Sequence, residues 1–147
     1  MPEPNWSLHP QLVNDTMPVG DLPLSRVLAI NAADYPWLVL VPRRAGVTEI
    51  VELGDDAAAL TAEIVEVSRA LKDVSRCDKL NIAAIGNIVP QLHVHVVARR
   101  KGDPLWPKPV WGAGAPRVGD EAVFERFIAA IRASLAGDAR LSLAGRG

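Results

Sequence analysis

The residues that most constrain this chain lie between positions 91 and 99, where polar and apolar side chains alternate. A period of two is the pattern of a β-strand with one covered face. One face of this strand would carry Gln91, His93 and His95, and the apolar residues between them would face a core. Side chains two apart on a strand lie roughly 7 Å from each other. Two imidazoles at this spacing can therefore act on one ligand.

An imidazole on a strand can be a general base, a nucleophile or a metal ligand, and its ordinary pKa of about 6.5 leaves much of it neutral at pH 7. The spacing does not choose among these roles, and two incidental histidines on a solvent-facing strand are a further alternative. A zinc site needs more ligands than this pair, and Gln91 is a poor one. We therefore expect no metal site and no cofactor.

Length and charge limit the classes of function. The 147 residues fit a single domain spanning 1–147. With 16 basic and 17 acidic residues, the net charge of −1 argues against a protein that grips long nucleic acid, but it allows a small anionic ligand. No apolar run is long enough for a membrane span, and the N-terminus lacks the pattern of a signal peptide. We expect a cytoplasmic protein without a membrane partner, in which the single Cys77 is incidental.

Periodicity along the chain predicts the elements. Two apolar runs at 24–31 and 37–41, separated by a short polar break, predict an antiparallel hairpin. Apolar residues in steps of three and four predict a long helix over 55–74 and a second helix over 120–135. Further strands are expected at 80–85 and 88–99. This order predicts an α+β domain with an antiparallel sheet of about five strands, one long helix packed on it and a C-terminal helix.

Proline content marks the two ends of the chain. Five prolines in residues 1–23 predict an extended arm over 1–21, with at most one turn at 9–12. Residues 104–147 hold a proline and tryptophan segment followed by the C-terminal helix. We expect this segment to be ordered, because Trp106 and Trp111 need burial. The last ten residues are expected to fray.

The stretch from 91 to 99 resembles the signature of the histidine triad (HIT) family, in which three histidines alternate with apolar residues. His93 and His95 match the second and third histidines, and Gln91 stands in place of the first. The resemblance implies that His93 is the nucleophile that attacks the α-phosphorus of a nucleotide. It also implies that His95 binds a phosphate oxygen. Gln91 can donate and accept hydrogen bonds in this network, but it cannot carry a proton charge.

The resemblance covers residues 22–103, which form the expected HIT core. It implies that Asn31, at the end of the first hairpin strand, binds the ribose, although an Asn there can also be only a turn former. Gly86 and Asn87 are candidate nucleotide-binding residues or simply a turn. Arg99 is a candidate phosphate ligand or part of a solvated basic edge. Residues 95–103 look closest to the dinucleoside-polyphosphate hydrolase branch of the family.

The function implied by this resemblance is hydrolysis or nucleotidyl transfer at an α-phosphate, through a nucleotidyl intermediate on His93. The substrate would be a dinucleoside polyphosphate or a nucleoside phosphoramidate, and the protein would be a homodimer. Gln91 replaces the first histidine, and Ile88 stands where the family often has a hydroxyl residue. Both replacements remove groups that the family uses in catalysis. A nucleotide-binding protein with little or no turnover is therefore the alternative. Trp106 and Trp111 could cover the nucleotide, line a dimer interface or pack.

Overall fold

One antiparallel sheet and two long helices make up residues 2–137, the part of the chain that the computed structural model describes. In chain order the elements are α1 (Pro10–Asp15), β1 (Met17–Asp21), β2 (Ser25–Ile30), β3 (Trp37–Pro42), a 3₁₀ turn (Ile50–Leu53), α2 (Asp56–Ser75), β4 (Lys79–Ala83), β5 (Val94–Arg99) and α3 (Glu121–Ala136). The strand order is β1-β2-β3-β5-β4. The predicted α+β class and the five-stranded antiparallel sheet are confirmed. The expected fraying of residues 138–147 lies outside the described residues.

Strand β3 is the centre of the sheet, and all six of its residues are buried. Its alternate side chains enter two different cores. Leu38 and Leu40 pack beneath α2 and α3. Trp37, Val39 and Val41 pack on the opposite face. A strand covered on both faces loses its alternation of polar and apolar residues, which is why this run is apolar throughout.

The predicted hairpin and the predicted long helix are both present. β2 and β3 are antiparallel, as expected, and their register runs from Ser25 opposite Pro42 to Ile30 opposite Trp37. Helix α2 buries its apolar stripe against the sheet and ends at Arg76, whose backbone is left-handed with φ 55°. The Arg76 N–H donates to the carbonyl of Lys72, which closes the last turn.

The prediction of an extended arm over residues 1–21 is wrong for its second half. Residues 10–15 form α1, and β1 pairs antiparallel with β2 at the edge of the sheet. The prolines in this part of the sequence are the reason why no strand is predicted here. Pro18 has no N–H to donate, but an edge strand tolerates it, and the pairing shifts register between Pro18 and Gly20.

The predicted strand over 88–99 is too long, because β5 begins only at Val94. Residues 84–93 are irregular. Gly86 has a left-handed backbone with φ 69°, and Pro90 cannot donate a ladder hydrogen bond. Leu92 donates its N–H to the carbonyl of Val47, outside the sheet. Strand alternation therefore does not set the directions of the Gln91 and His93 side chains.

A buried carboxylate links α2 to the start of β2. Glu63 is 1% exposed, and its two carboxylate oxygens accept the N–H groups of Leu24 and Ser25 at 2.8 and 2.9 Å. Both N–H groups are buried, so water could not replace the carboxylate as their acceptor. Glu63 thus fixes the point at which the sheet enters its central hairpin.

Replacing Glu63 with Ala should lower the free energy of unfolding by about 3 kcal/mol, because two buried N–H groups lose their acceptor. Urea denaturation measures this change. Arg69→Ala, on the exposed face of the same helix, is the control and should change stability by less than about 0.5 kcal/mol. Equal effects of the two substitutions would contradict a structural role for the carboxylate.

Candidate active site

The loop that precedes β5 fixes His93 in one orientation. The side chain is 7% exposed, and its Nδ1 lies 2.7 Å from the main-chain carbonyl oxygen of Gln91. A carbonyl oxygen only accepts hydrogen bonds, so Nδ1 must carry the hydrogen in the neutral ring. The other nitrogen, Nε2, then holds an unshared electron pair. This tautomer is the one that a nucleophilic imidazole requires.

His95 is held in the opposite tautomer. The indole Nε1–H of Trp37 donates to Nδ1 of His95 at 3.0 Å. An indole is a donor only, so Nδ1 of His95 is the acceptor and its hydrogen lies on Nε2. Burial, with a smaller contribution from the neighbouring His93, lowers the pKa of His95 to about 4. At neutral pH this ring is an uncharged hydrogen-bond donor.

The two imidazoles therefore offer complementary groups from neighbouring positions. Their ring centroids are 4.9 Å apart and the ring planes meet at 72°. His93 presents a lone pair, and His95 presents an N–H group. A tetrahedral phosphorus centre that bears anionic oxygens needs both groups, one to attack the phosphorus and one to bind an oxygen.

A cleft of about 180 Å³ opens beside His93. Its walls come from the loop before the 3₁₀ turn, from that turn and from the loop after β4. The lining residues are Thr48, Glu49, Ile50, Val51, Ala84, Ile85, Gly86, Leu92 and His93. Such a cleft admits a phosphate and part of a substituent, but it does not enclose a whole dinucleotide.

The candidate binding residues in the loop after β4 do not all lie at the cleft, because some of them face solvent. Gly86 lines the cleft, and its φ of 69° is a conformation that other residues rarely adopt. Asn87 is exposed. Ile88 is 91% exposed and so points away from the core. Of the two predicted binding residues, the structure brings only Gly86 to His93.

The side chain of Gln91 lies outside the histidine network in which a role is expected for it. Its Oε1 accepts the His9 N–H at 2.8 Å, and its Nε2 donates to the carbonyl of Ser7 at 2.9 Å. Gln91 touches His93 through its main-chain carbonyl instead. The irregular backbone before β5 turns the amide toward the N-terminal segment, so the predicted shared face does not form.

Asn31 lies beside the strand pair that carries Trp37, but its side chain has no hydrogen bond to either histidine. Asn31 follows Ile30, which pairs with Trp37, the residue that donates to His95. The side-chain amide of Asn31 accepts the Gly119 N–H at 3.0 Å and donates to the Gly119 carbonyl at 3.3 Å. Asn31 lines a cleft against α3, and its contact with a ribose stays a prediction.

The expectation for Arg99 is also corrected. Its side chain is 1% exposed, and its guanidinium binds both carboxylate oxygens of Asp103 at 2.7 and 2.9 Å. A third hydrogen bond reaches Asn81, and the rings of Tyr35 and Trp106 lie 5.5 Å from the guanidinium carbon. The hydrogen bonds from Arg99 hold the pKa of Asp103 below its usual value. Arg99 is thus a buried structural cation, and a phosphate has no access to it.

Two tryptophans also belong to the site, although the pattern of histidines in the sequence does not indicate them. Trp37 lies 5.7 Å from His95 between ring centroids, and Trp111 of the proline and tryptophan segment lies at the same distance. Trp37 stands two residues before Val39, the residue that pairs with His95, so a correct strand alignment would have placed both on one face. Trp111 belongs to an irregular segment, and the sequence left open whether it covers the nucleotide, lines a dimer interface or packs.

Among residues 2–137, no cluster of three or more His, Cys, Asp or Glu side chains has the geometry to hold a metal ion. The helices in that part of the chain are too short or too polar to cross a bilayer. The site that the structure presents consists of the two imidazoles, two indoles and the walls of the cleft.

Comparison with known proteins agrees with this architecture. The family model of the HIT domain matches residues 11–102. The crystal structure of a histidine triad protein from Bradyrhizobium japonicum is 56% identical, with a TM-score of 0.86 over 90% of this chain and 99% of that chain. One from Sinorhizobium meliloti is 44% identical, with a TM-score of 0.84 over 88% and 97%. No curated protein matches the chain.

A third crystal structure, of a histidine triad protein from Marinobacter aquaeolei, is 38% identical, with a TM-score of 0.85 over 90% of this chain and 97% of that chain. The chain therefore belongs to the histidine triad family, whose members bind or hydrolyse nucleotides.

The lowered pKa of His95 makes stability depend on pH. The folded state keeps this ring neutral down to about pH 4, whereas the unfolded chain takes up the proton near pH 6.5. Stability is therefore complete above pH 6.5 and is lost as the pH falls toward 4. The difference in unfolding free energy between the wild type and His95→Gln should shrink over this interval, as urea denaturation at several pH values would show. A difference that grows on acidification would contradict the buried neutral ring.

Proposed function

We propose that this protein cleaves nucleotides at the α-phosphate, with His93 as the nucleophile. The observation that carries the proposal is the pair of complementary tautomers, a free Nε2 on His93 and an Nε2–H on His95. Nε2 of His93 attacks the phosphorus and forms a P–N bond. The bond to the bridging oxygen breaks, and the leaving group takes its electron pair. His95 donates a hydrogen bond to a non-bridging oxygen.

The second step would release the mononucleotide. A water molecule attacks the phosphorus, and the P–N bond breaks with its electron pair returning to Nε2 of His93. The water gives up its proton to solvent. Because the Gln91 carbonyl holds the Nδ1 hydrogen throughout, the ring stays oriented and returns to its starting tautomer.

The same geometry bears on the leaving group. His95 is neutral at pH 7, with Nδ1 already occupied by the Trp37 indole, so it offers a hydrogen bond but has no surplus proton. An amine leaving group must be protonated to depart. A nucleoside polyphosphate departs as a stable anion. We therefore favour dinucleoside polyphosphates over phosphoramidates, in line with the resemblance of residues 95–103 to that branch of the family.

Binding without turnover is the second candidate function. It is favoured by the directions of Gln91 and Ile88, since the amide is committed to the N-terminal segment and the isoleucine faces solvent. Neither supplies a protonatable group beside His93. The two functions make the same prediction for nucleotide affinity and opposite predictions for covalent modification.

Mixing the protein with diadenosine tetraphosphate should give an adenylyl adduct in intact-protein mass spectrometry, together with steady release of AMP and ATP. His93→Ala should abolish both. His9→Ala, which removes an imidazole outside the pair, should retain them. Adenosine phosphoramidate should react on the order of 10²-fold more slowly, because its amine departs without a general acid.

Two results would overturn parts of this account. Tight binding of several nucleotides with neither adduct nor product would rule out the hydrolase and establish the binding protein. An adduct that persists in His93→Ala would rule out this residue as the nucleophile. Equal rates for the two substrates would remove the argument about the leaving group but leave the nucleophile in place.

We also propose that two copies of the chain associate through β4. This strand ends the sheet, and its outer edge pairs with no other strand of residues 2–137. Ile82 is 49% exposed, and Ile85 in the following loop is 42% exposed. Ile85 also lines the cleft beside His93. An apolar free edge is a surface that proteins ordinarily cover.

Ile82→Glu should weaken the homodimer by about tenfold or more in dissociation constant, because a carboxylate would have to be buried at the interface. Light scattering coupled to size-exclusion chromatography over a dilution series measures the shift. Val123→Glu places the same charge on α3, at a residue that is 55% exposed, and should leave the association unchanged. A monomeric wild type at high concentration would refute the proposal.

A further inference from the structure

An N-terminal segment extends from contacts with the residues after β3 to contacts with Gln91 in the loop that precedes β5. We call residues 2–9 the strap. Its first part is fixed at Glu3, whose N–H donates to the Arg43 carbonyl at 3.2 Å and whose carboxylate accepts the Ala45 N–H at 2.6 Å. Its middle part is fixed where the guanidinium of Arg26 lies over the ring of Trp6, 5.1 Å from the centroid. The strap is therefore attached to the sheet along its length.

The last part of the strap receives two hydrogen bonds from one side chain, in addition to the packing of Leu8 against the core. The amide of Gln91 forms two hydrogen bonds to strap main chain, accepting from the N–H of His9 at 2.8 Å and donating to the carbonyl of Ser7 at 2.9 Å. A carboxamide is the group that can make both bonds, because it has one accepting and one donating end. A glutamate of the same length would place an acceptor against the Ser7 carbonyl.

The residue that holds the strap is also the residue that orients the nucleophile. The main-chain carbonyl of Gln91 accepts the Nδ1–H of His93 at 2.7 Å. That carbonyl lies in the irregular segment 84–93, where no strand ladder fixes it. On its other side, Leu92 donates to the Val47 carbonyl. The peptide that carries the acceptor is thus fixed by Leu92 at one side and by the strap at the other.

We propose that Gln91 is a positioning residue, and that the strap acts through it to keep Nε2 of His93 unprotonated and aimed at the cleft. The inference rests on the proposed nucleophilic role of His93 and adds a requirement for a remote part of the chain. Without the two amide bonds, the hydrogen bond from Leu92 to Val47 alone holds this peptide, so the Gln91 carbonyl gains freedom to move and becomes a less well-fixed acceptor for the Nδ1–H. The ring then divides between its two tautomers, and a fraction of molecules no longer presents a lone pair.

Position 9 offers a way to remove one of these bonds without touching Gln91. The backbone of His9 has φ −55° and ψ 135°, which suits proline and suits a residue that precedes Pro10. His9→Pro therefore deletes the N–H that Gln91 accepts. It also deletes the imidazole that accepts the Gln11 N–H at the start of α1. His9→Ala deletes only the imidazole, so the difference between the two variants isolates the hydrogen bond.

The experiment compares Gln91→Ala, His9→Pro and His9→Ala with the wild type. Gln11→Ala is the matched control, because it removes a strap-proximal amide that bonds only to Asp15 on the exposed side of α1. The first readout is the tautomer of His93, obtained from long-range ¹H–¹⁵N correlation spectra. These spectra are recorded at a pH about 1.5 pH units above the ordinary imidazole pKa, where the ring is neutral. The second is the single-turnover rate of adenylylation by diadenosine tetraphosphate. Amide spectra verify that each variant is folded.

Gln91→Ala and His9→Pro should each move His93 from one tautomer toward a mixture. They should lower the adenylylation rate by about tenfold, the factor that corresponds to ~1.4 kcal/mol, with little change in the concentration that half-saturates the rate. His9→Ala and Gln11→Ala should match the wild type in both readouts. A structural role alone would lower stability without changing the tautomer of His93.

The two readouts separate this inference from the function on which it rests. If Gln91→Ala and His9→Pro keep the wild-type tautomer and rate while remaining folded, positioning by the strap is refuted. If the wild type forms no adduct but the tautomer changes in these two variants, the catalytic proposal fails and the positioning of His93 stands. If the rate falls with an unchanged tautomer, Gln91 acts by another route and the inference is also overturned.

Discussion

The site depends on one hydrogen bond between two central strands, from the Trp37 indole to Nδ1 of His95. The pairing of β3 with β5 places these residues on one face of the sheet, Val39 opposite His95 and Trp37 opposite Val97. Because an indole cannot accept, this bond leaves His95 only its Nε2–H to offer. Burial between Trp37, Trp111 and His93 then keeps the ring uncharged.

The two faces of the sheet have different tasks. Helices α2 and α3 cover one face and provide most of the apolar core. The other face is covered by irregular segments, namely the N-terminal residues and the proline and tryptophan segment. These irregular segments contact the histidines, through Trp111 and through the strap bound to Gln91. The helices therefore hold the strands in place, and the irregular segments contact the residues that orient and bury the two histidines.

Sequence reasoning located the elements whose periodicity is strong. The hairpin and α2 follow from local patterns, and His93 and His95 were identified as the candidate pair. Contacts between distant positions could not be predicted from these local patterns. Asn31 meets Gly119, 88 residues away, and Gln91 meets Ser7, 84 residues away. Such contacts depend on the path of irregular segments, and hydrophobic period carries no information on that path. Trp37 lies in the predicted apolar strand over 37–41, and its role as a donor to His95 appears only with the strand register.

The central claim is that the two imidazoles hold opposite tautomers. Neutron diffraction from crystals of the unliganded protein, exchanged into deuterated buffer about 1.5 pH units above the ordinary imidazole pKa, observes the ring hydrogens directly. We expect deuterium on Nδ1 of His93, pointing to the Gln91 carbonyl, and on Nε2 of His95, with no deuterium on the other nitrogen of either ring. Deuterium on both nitrogens of His95, or on Nε2 of His93, would contradict it.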